Sequence, residues 1–193
     1  MRPGFLLVLL SACAQSAWAH AEATQGGGFV QGFLHPFTGG DHLLAMVCVG
    51  MWGAVLGAPL LWALPVTFPL MMVVGALVAL AGVHLPAVEP GVALSVVGLG
   101  VCVALHWRAP IPAAVALVGF FGLLHGYAHG SELPASASPA AYASGFVLAS
   151  GLLHAIGIGI GLLRDLPRGD VVLRCVGALV GLAGVWMLAG RLA

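Results

Sequence analysis

The chain has 193 residues, of which 61% are hydrophobic and only 6% charged, and its formal net charge is zero. An ordinary soluble domain carries about 25% charged residues, so this composition excludes a water-facing fold and makes the bilayer the natural solvent. Lysine is absent and the six basic residues are scattered arginines, which argues against a nucleic-acid partner.

The N-terminus reads as a secretory signal. Arg2 supplies the positive region, Phe5 to Ala12 an apolar stretch too short to span, and Ala17-Trp18-Ala19 a cleavage site. Residues 1–19 are therefore expected to be removed, leaving His20 as the first mature residue, with its free amine beside an imidazole. Leu10-Ser11-Ala12-Cys13 offers a rival lipoprotein signal, weaker because the apolar region before Cys13 is short. Either way the mature N-terminus faces the periplasm. Cys48, Cys102 and Cys175 lie in apolar segments, where a thiol is a small hydrophobe. No C-x-x-C spacing supports a disulfide framework or a zinc knuckle.

A helix needs about 20 apolar residues to cross the hydrocarbon core. Residues 20–193 hold six such stretches, near 38–57, 60–84, 90–106, 110–130, 140–163 and 170–190, separated by Gly- and Pro-containing breakers. The expected fold is all-α: a polytopic membrane bundle of six transmembrane helices in one domain. The short connections predict sequential helices packed as antiparallel neighbours. With the N-terminus outside, Arg108, Arg164, Arg168 and Arg174 fall on the inner side, while Glu22, Glu89 and Glu132 fall outside. That arginine bias obeys the positive-inside rule. Arg191 alone is misplaced, near an outer C-terminus. Glycines four apart (Gly122, Gly126 and Gly130; Gly53 and Gly57; Gly157 and Gly161; Gly177 and Gly181) suit close helix approach.

The eight histidines carry the chemistry. His35 and His42 flank the start of the first span, seven residues and so about two helical turns apart, with Asp41 beside His42. His35 precedes Pro36, which places it alternatively in a turn. On the fourth span His125, His129 and Glu132 sit at i, i+4 and i+7, along one stripe. The predicted orientation puts both groups, with Glu89 and His84, at the periplasmic side. Imidazole with carboxylate suits nickel, cobalt, zinc and copper, and ionisable residues inside spans are costly and face polar cavities. Bland readings compete. Thr38-x-x-Asp41 also fits a capping box. His84 and His106 sit at helix ends where no role is needed, His154 fits a buried histidine bonded to a neighbouring helix as well as a functional one, and Phe68 reads as apolar bulk.

His35-Pro36-Phe37-Thr38-Gly39-Gly40-Asp41-His42 resembles the H-P-x-x-G-x-D-H signature of the HupE/UreJ family, hydrogenase and urease accessory proteins regarded as nickel permeases. Leu124-His125-Gly126-Tyr127-Ala128-His129-Gly130-Ser131-Glu132 resembles the family's second motif, and the likeness covers essentially the whole chain. By position, the resemblance implies roles in transport for His35, Asp41, His42, His129 and Glu132. It also implies them for Phe68 and Glu89, which match two isolated positions, and His125 joins the candidate metal set. The implied protein is not an enzyme. It binds no permanent cofactor and takes Ni2+ as cargo, with Co2+ as the alternative. It meets lipid and a divalent ion, leaves self-association open, and works in a bacterial inner membrane. No phosphate-binding G-x-x-x-x-G-K-[ST] loop is present, so the chain cannot use ATP by itself. The competing class is a redox protein holding haem through His125 and His154.

Overall fold

The computed structural model describes residues 28–131 and 138–192. The expected signal segment, with Ala17-Trp18-Ala19, and also His20, Glu22 and Glu132 lie outside the described residues. Among the described residues every element is helical: α1 (Gly28–Thr38), α2 (Gly40–Leu56), α3 (Leu60–Leu80), α4 (Val88–Ala104), α5 (Ile111–Ser131), α6 (Pro139–Gly161), a 3₁₀ turn (Leu162–Asp165) and α7 (Gly169–Leu192).

Helices α2 to α7 fall on the six apolar stretches, and α1 is an addition. Pro36 is tolerated inside α1, and the chain then breaks at Gly39, so that α1 and α2 meet at 79°. His35 and His42 therefore lie on two helices and do not share the face of one. By length and composition α3, α5, α7 and the continuous run Ala140–Asp165 can each cross a membrane, and the bent α1–α2 pair supplies a fifth span if taken as one. The apolar α4 has 17 residues, about 26 Å of helix against a hydrocarbon core of about 30 Å. The chain is thus a multi-pass membrane protein, all-helical among the described residues.

The breakers work as expected locally. Gly57 closes α2 at φ 79°, where a side chain would be strained, and its N–H returns to the Gly53 carbonyl at 2.9 Å. The packing order departs from expectation. The closest partners are α3 with α5, α4 with α7, and α6 with both α2 and α1. Glycine seams, more than short connections, choose these partners. A Cβ on Gly126 would run into the Met72 backbone, one on Gly122 would lie 2.6 Å from the Phe68 carbonyl oxygen, and Gly130 abuts Ala76. Gly50 and Gly157 seat α2 on α6 reciprocally, and Gly100 and Gly177 do so for α4 and α7. Van der Waals contact between backbones is the main attraction available between helices in lipid.

The α2 helix is the axis of the bundle. Ala45, Met46, Cys48, Val49, Met51 and Trp52 are fully buried, and an element apolar on every side must be enclosed by others. Its C-terminal end is tied down by Trp52 Nε1–H donating to the Trp107 carbonyl at 3.0 Å and by Arg164 donating to the Val55 carbonyl at 2.7 Å. The outward surfaces of α3 and α7 expose Trp62, Leu70, Leu179, Leu182 and Trp186, a belt suited to hydrocarbon.

Candidate functional site

The last turn of α1, the first turn of α2 and the final two turns of α5 converge at one end of the bundle. The 79° bend brings His35 back over the start of α2. Its ring centroid lies 4.6 Å from that of His129 and 6.0 Å from that of His42. The His42 ring lies 4.2 Å from His129 and 4.6 Å from His125. Four of the histidines singled out in the sequence therefore form one cluster drawn from three helices. Tyr142 and Phe146 of α6 close it on one side, with Phe146 4.7 Å from His129.

Hydrogen bonds fix which ring nitrogens are engaged and which are left bare. Asp41 Oδ1 accepts from the His42 backbone N–H at 2.8 Å and lies 2.6 Å from His42 Nδ1. A carboxylate at that distance requires the proton on Nδ1 and leaves Nε2 with its lone pair. That carboxylate–histidine arrangement orients imidazoles toward metal ions. Ser95 on α4 does the same for His125. The serine hydroxyl donates its one hydrogen to the Val92 carbonyl at 2.6 Å, so its oxygen must accept from His125 Nε2–H at 2.8 Å. The Nδ1 of His125 is then the bare nitrogen. His42 Nε2, His125 Nδ1 and His129 Nε2 are all buried without a hydrogen-bond partner. Three buried imidazole nitrogens in one cluster thus have no partner within the protein. As they stand, among the described residues, no three His, Cys, Asp or Glu donors converge closely enough to form a finished metal shell.

Thr38 does not complete a capping box. Its hydroxyl turns back to the His35 carbonyl at 2.9 Å, and Gly39 caps α2 without any side-chain hydrogen bond. Asp41 is held instead by His42 and by Arg191, whose Nη2 lies 2.5 Å from Asp41 Oδ2. Glu89 stands apart from the imidazoles. It pairs with Arg191 Nη1 at 2.5 Å, while its backbone carbonyl accepts from the same nitrogen at 2.7 Å. Arg191, the one arginine that breaks the inside bias, thus sits between two acids. That violation is the only signal of its role that the sequence offers.

Below the cluster the interior turns apolar. Phe68 is fully buried on α3, and its ring lies 5.3 Å from His125 and 5.8 Å from His154. His154, in mid-α6, is 1% exposed, and neither ring nitrogen has a hydrogen-bond partner, so the expected bond to a neighbouring helix is not made. His106 belongs to the opposite end, 3.6 Å from Asp170, with its pKa lowered first by burial and then by Arg174. His84 is exposed in the turn after α3.

Apolar helices long enough to cross a membrane, with imidazoles from three helices gathered at one end, define a polytopic membrane protein with a buried histidine cluster. The profile of the HupE/UreJ protein family matches residues 7–187. Protein HupE from Rhizobium leguminosarum bv. viciae is 40% identical over 191 residues, covering 98% of this chain and 100% of that one. The chain belongs to the HupE/UreJ family. No solved structure matches it.

Proposed function

We propose that this protein is a permease that carries a divalent transition metal, Ni2+ foremost, across a bacterial inner membrane to supply hydrogenase or urease maturation. One observation carries the reading: three buried imidazoles, His42, His125 and His129, each with an unpartnered ring nitrogen, cluster at the bundle end where Asp41 anchors His42. Neutral imidazole is the donor that borderline dications accept, and it adds no charge to a low-dielectric interior. The adjoining acids offset part of the cost of bringing in a dication.

The path begins in the periplasm. A hydrated ion meets His35, His42 and His129, with Glu132 three positions after His129 in the sequence. It exchanges water for nitrogen in steps, moves to His125, and passes Phe68 toward His154. An unfinished shell suits this task, because conduction needs sites that bind well enough to admit an ion and loosely enough to release it. Phe68, wedged against both inner histidines, is the barrier that must turn aside. The same packing speaks against the haem alternative, since a side chain already occupies the space beside His125 and His154 that a macrocycle would need.

The test is uptake of radiolabelled nickel by cells expressing the chain, competed with cobalt, zinc and copper. Saturable nickel uptake, displaced best by cobalt, is expected. Uptake equal to that of cells lacking the protein sinks the proposal. A Soret band in the purified protein would revive the haem alternative.

A further inference from the structure

We infer that Arg191 is a tethered counter-ion, a built-in cation that occupies the Asp41–Glu89 acid pair between transport events and is displaced by the arriving dication. The inference rests on reading these acids as part of a metal path. Its geometry rests on contacts that the histidines do not make, although Asp41 is shared with His42. The two arms of one guanidinium reach carboxylates on two different helices, each at 2.5 Å, with a further bond to the Glu89 carbonyl at 2.7 Å. This is the two-pronged recognition that guanidinium performs and ammonium cannot. Arg191 sits on the last turn of α7, with its side chain about a quarter exposed, so it can withdraw to water without unfolding anything. Asp41, in contrast, is only 12% exposed and already bonded to His42.

Charge decides what happens next. Asp41, Glu89 and Arg191 sum to one negative charge when the histidines are neutral. A dication brings two charges where the guanidinium supplies one, so exchanging them gains attraction. While the arginine holds the acids, a metal ion meets a site that is only fractionally competent, and apparent affinity falls by that fraction. Once the ion has moved inward, the returning guanidinium re-occupies Asp41 and opposes backward binding. Arg191 is therefore a positioning residue. It trades affinity for turnover without touching the metal.

The experiment compares the full-length wild type with R191Q and R191K, by equilibrium nickel binding to purified protein and by uptake kinetics normalised to membrane abundance. If the guanidinium holds the acids about nine-tenths of the time, R191Q should bind nickel roughly tenfold more tightly. Its half-saturating concentration for uptake should fall in step, with a lower maximal rate. R191K keeps the charge without the fork and should shift the same way by less. A purely structural tie between α7, α4 and α2 predicts lost abundance or thermal stability with nickel affinity per molecule unchanged, and that result overturns the inference. If R191Q does not reach the membrane, R191K decides, and unchanged affinity in it is equally fatal. A wild type that binds nickel without transporting it sinks the permease reading while the binding comparison still judges Arg191. A wild type that binds no nickel sinks both.

Discussion

Replacing Asp41 by asparagine separates electrostatics from architecture more cleanly than any deletion. In D41N the amide oxygen can still accept from the His42 backbone N–H and from Nδ1–H, as Oδ1 of Asp41 does at 2.8 and 2.6 Å. Asp41 lies in the first turn of α2, after the Gly39 cap, where loss of its charge costs only about 0.3–1 kcal/mol of helix-dipole interaction. What disappears is one unit of charge and the grip on Arg191, which would then face an amide donor. With an ion bound about 2 Å beyond Nε2 of His42, the carboxylate and the metal are roughly 7 Å apart through the ring. A unit charge and a dication at that separation attract by about 5 kcal/mol at an effective dielectric constant of about 20. Water at the rim, which the displaced Arg191 leaves behind, screens most of this. A surviving third, about 1.5 kcal/mol, still weakens binding about tenfold. The assay is radiolabelled nickel uptake across a concentration series, with membrane abundance measured by quantitative immunoblot. Normal abundance with half-saturation raised about tenfold or more is expected from that arithmetic. Wild-type kinetics at normal abundance would show that Asp41 only shapes the start of α2, and the entry site would lose its central anion.

Four other outcomes are expected. His42→Ala and His129→Ala should each abolish most uptake at normal abundance, whereas His106→Ala, at the far end beside Asp170, should leave it near the wild-type level; equal losses at all three would mean that histidine removal acts through folding. His154→Leu should keep nickel binding to purified protein and lower the maximal uptake rate several-fold, and unchanged transport would remove His154 from the path. Gly126→Leu drives a side chain into the Met72 backbone and should cost at least about 1–3 kcal/mol, read as lost abundance or a lower melting temperature in detergent, while Gly159→Ala meets nothing within 4 Å and should be neutral. Both termini should be periplasmic and the mature chain should begin at His20; N-terminal sequencing that finds Met1 or Cys13, or a C-terminal reporter active only in the cytoplasm, would contradict this.

Much of the fold is legible in the sequence because hydrocarbon solvent reduces the problem to length and apolarity: α2 to α7 lie on the six stretches. The first helix is not, because Pro36 reads as the mark of a turn before the first span, whereas a short helix tolerates proline when its neighbours supply the missing contacts. Helix partners are equally hidden. A short loop fixes only where the next helix begins, whereas Gly75, Gly126, Gly50 and Gly157 decide whose backbone it can touch. At the site, His42, His125 and His129 can be picked out from residue type and spacing. Their tautomers cannot, since these depend on Asp41 and on Ser95, which reaches His125 across 30 positions of sequence. Arg191 shows in the sequence only as an exception to a charge rule, and its partners Asp41 and Glu89 are 150 and 102 positions away.

The glycine seams also have a genetic consequence. Every amino-acid replacement reachable from a glycine codon by one nucleotide change adds a Cβ. At Gly50, Gly75, Gly126 and Gly157 that first carbon lands on a neighbouring backbone, which cannot rotate away as a side-chain tip can. No mild missense allele exists at such a position. On the lipid-facing side of α7, where Leu179, Leu182 and Trp186 are exposed to acyl chains, most apolar exchanges should pass unnoticed. A saturation library scored for nickel uptake should therefore show two kinds of most intolerant position: the histidine cluster, and glycines that offer the ion no ligand and act only by letting helices touch.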